Sequence, residues 1–156
     1  MTTLITGASG GIGAQLALLC AQHDDELLIT GRNADKLAAV KANLERDYHG
    51  KVTAITLDLA QPDAAARLEQ YTVERHITID TLINDAGFGD WATFLDMDDD
   101  HMRAMMQVNM VTLAELCHRF GRRMRTRGHG RILNIASVAA ALPGPYMAMY
   151  YATKAF

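Results

Sequence analysis

The sequence predicts an α/β fold built on a doubly wound parallel sheet. Short apolar runs alternate with amphipathic stretches along the 156 residues, and this alternation is typical of βαβ units. A glycine-rich turn joins the first apolar run to the first amphipathic stretch. Polar residues follow the ends of successive runs, and ligands bind at the carboxyl ends of the strands in sheets of this kind.

Five strands are predicted from the apolar runs, at Leu4–Thr6, Glu26–Thr30, Val52–Leu57, Ile79–Ile83 and Arg131–Ser137. The helices between them are predicted from apolar residues spaced three or four apart: Ile12, Leu16, Leu19 and Cys20, then Leu37, Val40 and Leu44, then Ala64, Leu68 and Tyr71, and a long helix over His101–Arg127 that carries Leu113, Leu116, Phe120 and Met124. The nearly continuous apolar character of the fifth run predicts a strand covered on both faces.

Composition and charge narrow the classes of function. Hydrophobic residues make up 49% and charged residues 21%, which is ordinary for one globular domain, so we expect a single domain over residues 1–156. The net charge of −3 argues against a nucleic-acid partner. No apolar run approaches the roughly 20 residues that span a bilayer, and the two distant cysteines suggest neither disulfides nor a metal site. Because the first strand begins so early, no leader peptide is expected. A cytoplasmic protein is expected.

Two charged stretches, one acidic and one rich in arginine, could suggest a binding site, but both are interpreted as ordinary features of helix ends. The acidic run Asp96–Asp100 precedes a helix, where acids usually cap the helix and complement its dipole, so no metal is expected there. The arginines near the end of the long helix suit its dipole and a solvated face.

The glycine turn Thr6–Gly13 has the context of a phosphate-binding loop. It follows a strand and opens a helix, and its glycines allow a tight turn and close approach of the backbone to a pyrophosphate. The helix N-terminus supplies free N–H groups and a positive dipole end. The residues expected to hold a cofactor here are Gly7, Ser9, Gly10, Gly11, Ile12 and Gly13. A plain flexible loop is the alternative.

The end of the second strand favours NADP over NAD. NAD-binding proteins often place an acid about 20 residues past the glycines to hold the ribose 2′-hydroxyl. This chain has Gly31 and Arg32 instead, and a guanidinium suits a 2′-phosphate. Arg32 as a merely solvated charge is the alternative. Asp58 and Asn84 follow the third and fourth strands and are expected along the same crevice.

Tyr150, Tyr151 and Lys154 place phenols and an ammonium within one helical turn. A phenol titrates near pH 10, and a nearby cation favours the phenolate, so such a pair suggests a tuned proton donor and acceptor. The spacing permits either tyrosine to act, and a solvated helix face is the alternative. Asn109 lies on the apolar stripe of the long helix, as a structural amide or as part of a proton path.

Taken together, these stretches resemble the short-chain dehydrogenase/reductase family over essentially the whole chain. Thr6–Gly13 matches the family's TGxxxGIG motif, and Asn84–Gly87 is similar to its NNAG motif with Asp85 in place of the second Asn. The family's catalytic Asn, Ser, Tyr and Lys fall on Asn109, Ser137, Tyr150 and Lys154, and its YxxxK pattern selects Tyr150 over Tyr151.

The resemblance implies a Rossmann-type fold and reversible reduction of a carbonyl. Tyr150 would exchange the proton, Ser137 would position the carbonyl oxygen, Lys154 would bind the nicotinamide ribose and favour the phenolate of Tyr150, and Asn109 would hold a water. NADP(H) is expected as the preferred cofactor and NAD(H) as possible, contacted by the glycine turn with Arg32, Asp58, Leu59, Asn84, Ala86, Gly87, Tyr150 and Lys154. The expected partners are a small carbonyl or alcohol and further copies of the chain in a homo-oligomer.

An alternative function comes from where the sequence stops. The family's domain continues past the Tyr–Lys helix, whereas this chain ends at Phe156, so the resemblance implies that the C-terminal part of that domain is absent here. If 156 residues are the whole polypeptide, a nucleotide-binding module without catalysis is expected, with the fifth strand as an exposed edge. A dehydratase or epimerase on the same fold is disfavoured by the glycine spacing.

Overall fold

A parallel five-stranded sheet forms the centre of the protein in a computed structural model, which describes residues 1–48 and 50–156. The strands are β1 (Thr2–Thr6), β2 (Glu26–Gly31), β3 (Val52–Thr56), β4 (Thr81–Asn84) and β5 (Arg131–Asn134). Their spatial order is β3-β2-β1-β4-β5, and all neighbours are parallel. The chain moves outward from β1 to β3 and then returns to the other side of β1. The predicted α/β sheet is confirmed, and its switch point lies between β1 and β4.

Helices cover both faces of the sheet. They are α1 (Gly11–Gln22), α2 (Ala34–Tyr48), α3 (Ala64–Glu74), α4 (Asp99–Met106), α5 (Leu113–Arg127) and α6 (Ala148–Ala155). A π-helical turn, Gln107–Thr112, joins α4 to α5, so the predicted long helix is continuous but contains one wider turn. No helix among the described residues is long and apolar enough to cross a membrane.

Two apolar cores result, one on each face. Ile5, Ile29 and Ile83 pack with α1 and α2 on one face, while Leu4, Leu28 and Leu82 pack with α3 and α5 on the other. Because successive side chains of a strand point to opposite faces, each central strand contributes to both cores. This double burial explains the continuous apolar runs that predict these strands.

The predicted apolar stripe of α1 is only partly correct. Leu16 and Cys20 are partly buried and pack against the core, whereas Ile12 and Leu19 are exposed, and the fully buried residues of α1 are Gly13, Ala17 and Ala21. These three also lie four residues apart, so they form a stripe of their own on the helix. Their small side chains let α1 approach the sheet closely, and larger residues such as Leu16 and Leu18 pack at the margin of the core.

The fifth strand also differs from its prediction. It ends at Asn134 rather than Ser137, and all four of its residues are exposed. It pairs only with β4 and forms an edge of the sheet, where Ile132 and Leu133 remain 39% and 45% exposed. An apolar run therefore indicated a strand correctly without indicating that it is covered.

Candidate active site

The glycine turn brings the ends of β1 and β4 into contact. Gly7 has a φ of +74°, which strongly favours glycine. A Cβ added to it would lie 2.8 Å from both N and Cα of Ala86. At Gly13 a Cβ would lie 2.7 Å from the carbonyl oxygen of Gly7 and 2.7 Å from Oδ2 of Asp85. These two positions therefore require the absence of a side chain for the turn and the start of α1 to pack against the end of β4.

Thr6 orders the segment that follows β4. Its hydroxyl oxygen accepts hydrogen bonds from the backbone N–H groups of Asp85 and Ala86, at 3.2 and 3.1 Å. Asn84 itself is buried, and its Nδ2 donates to Asn134 Oδ1 at 2.9 Å. The structure thus places the Asn84 side chain between β4 and β5, while Ala86 and Gly87 lie along the crevice.

The first cavity of the crevice has a volume of about 180 Å³ and lies past the ends of β1, β2 and β3. The exposed guanidinium of Arg32 lies 5.8 Å from the centroid of the Phe88 ring. Asp58 is also exposed, and its Oδ1 accepts a hydrogen bond from the backbone of Ala60 at 3.0 Å. The lining residues are Gly7, Ser9, Gly31, Arg32, Leu57, Asp58, Leu59, Ala86, Gly87, Phe88 and Val108.

The second cavity, of about 300 Å³, joins the glycine turn to α6. Lys154 Nζ donates a hydrogen bond to the carbonyl oxygen of Ile135 at 3.1 Å and lies 6.0 Å from the centroid of the Tyr150 ring. The lining residues are Gly7, Gly10, Gly11, Ile12, Asp85, Ala86, Gly87, Ile135, Ala136, Tyr150 and Lys154. Two stretches separated by more than 130 residues therefore face the same space.

Asn109 lies in the π turn and connects three parts of the site. It is 3% exposed. Its Oδ1 accepts from the backbone N–H of Phe88 at 3.1 Å, and its Nδ2 donates to the Phe88 carbonyl and to Thr153 Oγ1, both at 2.9 Å. Its amide is thus fully engaged with the segment after β4 and with α6. π turns occur frequently at functional sites because they redirect side chains within a helix.

Ser137 lines neither cavity of the crevice. It follows Ile135 and Ala136, which line the second cavity, and its Oγ accepts a hydrogen bond from the backbone N–H of Ala139 at 3.1 Å. A hydroxyl can accept and donate at once, so the Ser137 proton is left for another acceptor.

Asp85 places a carboxyl group beside the glycine turn and Lys154. Burial raises the pKa of this carboxyl above its ordinary value. The backbone N–H of Gly13 and the charge of Lys154 act in the opposite direction, since both favour the carboxylate. The replacement of the family's second Asn by Asp85 therefore adds a titratable group to the crevice.

The two cavities share Gly7, Ala86 and Gly87, so they form one elongated crevice. In the second cavity, a Cβ added to Gly10 or Gly11 would meet no atom within 4 Å. The N-terminus of α1 has no side-chain cap at Gly10. Open space beside free N–H groups suits a pyrophosphate, and the crevice fits a dinucleotide that extends into both cavities.

Other candidate sites are less suitable for this chemistry. A larger cavity of about 580 Å³ lies between α3 and α5, but it is lined mainly by charged side chains such as Arg119, whose guanidinium pairs with Glu69 at 2.8 Å. Across residues 1–48 and 50–156, no cluster of three or more His, Cys, Asp or Glu side chains is arranged to hold a metal ion.

Some residues of the site were not predicted to belong to it. Thr153 accepts a hydrogen bond from Asn109, and Leu57, Val108, Ile135 and Ala136 line the crevice. Each of them is close in sequence to a residue that was predicted, so proximity in sequence was the available signal. Their side-chain roles depend on contacts between distant segments.

Comparison with known proteins agrees with this architecture. The family model for short chain dehydrogenases matches residues 1–156. The gluconate 5-dehydrogenase of Gluconobacter oxydans is 34% identical over 152 residues, which are 97% of this chain and 59% of that protein. A very-long-chain 3-oxoacyl-CoA reductase of Coprinopsis cinerea is 31% identical over 159 residues, covering 98% of this chain and 46% of that protein.

Solved structures give the same result. The structure of a short-chain dehydrogenase from Sphingobium yanoikuyae in complex with NADPH superposes with a TM-score of 0.92 at 34% identity, covering 99% of this chain and 60% of that one. The chain thus spans about half of the length of the curated relatives and three fifths of this solved neighbour. The names of the relatives favour the oxidoreductase over the module without catalysis. The match along residues 1–156 shows that the chain belongs to the short-chain dehydrogenase family.

Proposed function

We propose that the protein carrying this chain is an NADP(H)-dependent oxidoreductase that interconverts a carbonyl and an alcohol. The observation that carries the proposal is the shared second cavity, because Tyr150 and Lys154 face the same space as the glycine turn. In this proposal residues 1–156 are one cofactor-binding domain that also carries the catalytic residues. The bound nicotinamide would supply or accept the hydride, and the protein would supply position and charge.

The proposed roles follow from where each group lies. Tyr150 donates its phenolic proton to the carbonyl oxygen during reduction and removes a proton from the alcohol in the reverse direction. Lys154 holds its ammonium 6.0 Å from the Tyr150 ring centroid and donates to the cofactor ribose. Ser137 donates its free proton to the substrate oxygen and positions it.

Asn109 is proposed to act mainly through position. Its side-chain amide is occupied by Phe88 and Thr153, so a water in this region would be held by other atoms, such as a backbone carbonyl of the π turn. By tying α6 to the segment after β4, Asn109 keeps Tyr150 and Lys154 at the end of the crevice.

The preference for NADP(H) is proposed from Arg32. Its guanidinium lines the first cavity with Asp58 and Leu59, and the residue before it is a glycine rather than an acid. A guanidinium binds a phosphate through charge-assisted hydrogen bonds. The NADPH complex of the Sphingobium relative supports the same cofactor.

A cytoplasmic location and a homo-oligomer remain proposals. The oligomer is expected from the resemblance, with the long helix and α6 packing between subunits. Sedimentation of the full protein tests it, and a monomer would contradict it.

The central test is Tyr150→Phe in the full protein, with NADPH oxidation followed over a panel of ketones and aldehydes. Loss of the proton donor should lower kcat by about 10²- to 10⁴-fold, while NADPH still binds. Tyr151→Phe is the matched control, because it removes the same hydroxyl from the neighbouring ring, and turnover should be retained.

Undiminished turnover by Tyr150→Phe would contradict the assignment of the proton donor. A wild-type protein that binds NADPH but turns over no carbonyl would instead support the nucleotide-binding module without catalysis.

A further inference from the structure

The Tyr150 ring packs directly on the backbone of Gly89. A Cβ added to Gly89 would lie 2.9 Å from both Cγ and Cδ2 of Tyr150, and 3.3 Å from Cε2. Non-bonded carbon atoms normally approach to about 3.5–4.0 Å. The ring therefore occupies the space that any side chain at position 89 would need.

The backbone itself does not require a glycine at this position. Among the glycines of the described chain, φ angles between +20° and +160° occur only at Gly7, Gly11, Gly128 and Gly130. Gly89 thus lies outside the left-handed region, which other residues avoid. The missing side chain is needed for the Tyr150 ring rather than for the turn.

The segment that carries Gly89 is firmly attached to the rest of the site. The N–H and the carbonyl of the preceding residue, Phe88, both bond to the buried side chain of Asn109. Three residues after Gly89, the N–H of Ala92 donates to the carbonyl of Tyr146 at 2.9 Å. Because both sides of Gly89 are held, its Cα is a fixed support for the ring.

Helix α6 needs such supports. It has eight residues, and a helix of this length is marginal without tertiary contacts. The neighbouring ring of Tyr151 packs on a second glycine, since a Cβ at Gly144 would lie 2.7 Å from Cε2 and 3.0 Å from the phenolic oxygen of Tyr151. Consecutive helical residues point about 100° apart, so the two contacts together restrict rotation of α6 about its axis.

We propose that Gly89 is a positioning residue for Tyr150: its lack of a side chain sets how far the phenol reaches into the crevice. The inference rests on the proposed function, in which Tyr150 exchanges the proton. Gly89 lines neither cavity of the crevice, so a substitution there acts on the site only through the Tyr150 ring.

The test is Gly89→Ala in the full protein. A displaced ring should lower kcat by about 10- to 100-fold, because misplacement by about 1 Å costs on this order, and the pH dependence of kcat should shift. The dissociation constant for NADPH should stay within about twofold of the wild-type value. Gly121→Ala in α5 is the matched control, since its Cβ would make an ordinary 3.6 Å contact with Ile132 of β5, and its kcat should be unchanged.

A wild-type kcat and pH profile in Gly89→Ala would overturn the proposal. If Gly89→Ala mainly lowers the melting temperature, the double variant Gly89→Ala/Tyr150→Ala shows whether a clash with the Tyr150 ring is the cause. Removing the ring should restore the melting temperature to that of Tyr150→Ala alone, and failure to do so would also overturn it. The two proposals remain distinguishable, because undiminished turnover in Tyr150→Phe contradicts the function, whereas an inactive Tyr150→Phe with a normal Gly89→Ala contradicts only the role of Gly89.

Discussion

The amide of Asn109 donates a 2.9 Å hydrogen bond to the hydroxyl of Thr153, one residue before Lys154 in α6. The Thr153 hydroxyl in turn donates to the backbone carbonyl of Tyr150 at 2.9 Å. Both Asn109 and Thr153 are 3% exposed. A single buried hydroxyl therefore joins the π turn to the helix that carries the proposed proton donor.

Replacing Thr153 by Val should destabilise the protein by about 1–3 kcal/mol, because the change preserves shape but leaves a buried amide proton of Asn109 without its acceptor. The free energy of unfolding in urea measures this effect. Thr153→Ser keeps the hydroxyl and is the matched control, with a smaller loss expected. Equal losses for Ser and Val would show that the hydroxyl is not the stabilising group.

Replacing Arg32 by Ala should weaken NADPH binding by about 10- to 100-fold, as expected for loss of a charge-assisted contact worth about 1.5–3 kcal/mol, and should leave NADH binding nearly unchanged. Titration of each nucleotide by fluorescence measures both affinities. Arg46→Ala removes the same charge from the exposed end of α2 and should change neither affinity. Wild-type protein that binds NADH as tightly as NADPH would refute the role of Arg32.

Replacing Asp85 by Asn should raise the melting temperature at pH 7, and this gain should shrink as the pH falls toward about 4. Burial raises the pKa of Asp85 in the folded state. The protonated carboxyl of Asp85 is therefore compatible with the fold below the unfolded pKa of about 3.9. This stability is lost as the pH rises through the folded pKa and the carboxyl ionises. Asn stays neutral at every pH, so the variant does not lose stability as the pH rises.

The control for Asp85 is Asp47→Asn, for which the sign is opposite. A hydrogen bond from Arg46 lowers the pKa of the exposed Asp47, so the wild-type residue stabilises the fold above its unfolded pKa of about 3.9 and loses that contribution only as the pH falls below this value. Between pH 4 and 7 the effect of Asp47→Asn should therefore be a constant loss. Melting temperatures between pH 4 and 7 compare the two variants. A gain for Asp85→Asn that stayed constant over this range would contradict the electrostatic explanation.

The sequence was sufficient for the order of elements and for most of the crevice. Short apolar runs located β1 to β5, and the strand ends brought Gly7, Arg32 and Asp58 to one edge of the sheet. The buried face of α1 was predicted only in part, because the spacing of large apolar residues included the exposed Ile12 and Leu19. Close packing against the sheet selects Gly13, Ala17 and Ala21, whose small side chains carry little hydrophobic signal.

Contacts between distant segments could not be predicted from sequence patterns. Gly89 and Tyr150 are 61 positions apart. Nothing in the local sequence around either residue indicates that the Tyr150 ring packs on a residue without a side chain. The π turn is similar, because Gln107–Thr112 contains no proline or glycine that would predict a change of helical pitch. Its position becomes understandable only with Phe88 and Thr153 as partners of Asn109.

Because the π turn at Gln107–Thr112 places Asn109 in the site, a more regular helix would disrupt the site. A π turn accommodates one more residue than an α-helical path through the same contacts. Deleting one residue here would give a more uniform helix, but everything on one side would rotate by about 100° relative to the other. Either Asn109 would turn away from Phe88 or the core side chains of α5 would leave the sheet. Engineering that idealises this helix for thermostability is therefore expected to weaken the site, and surface positions of α5 are the safer targets.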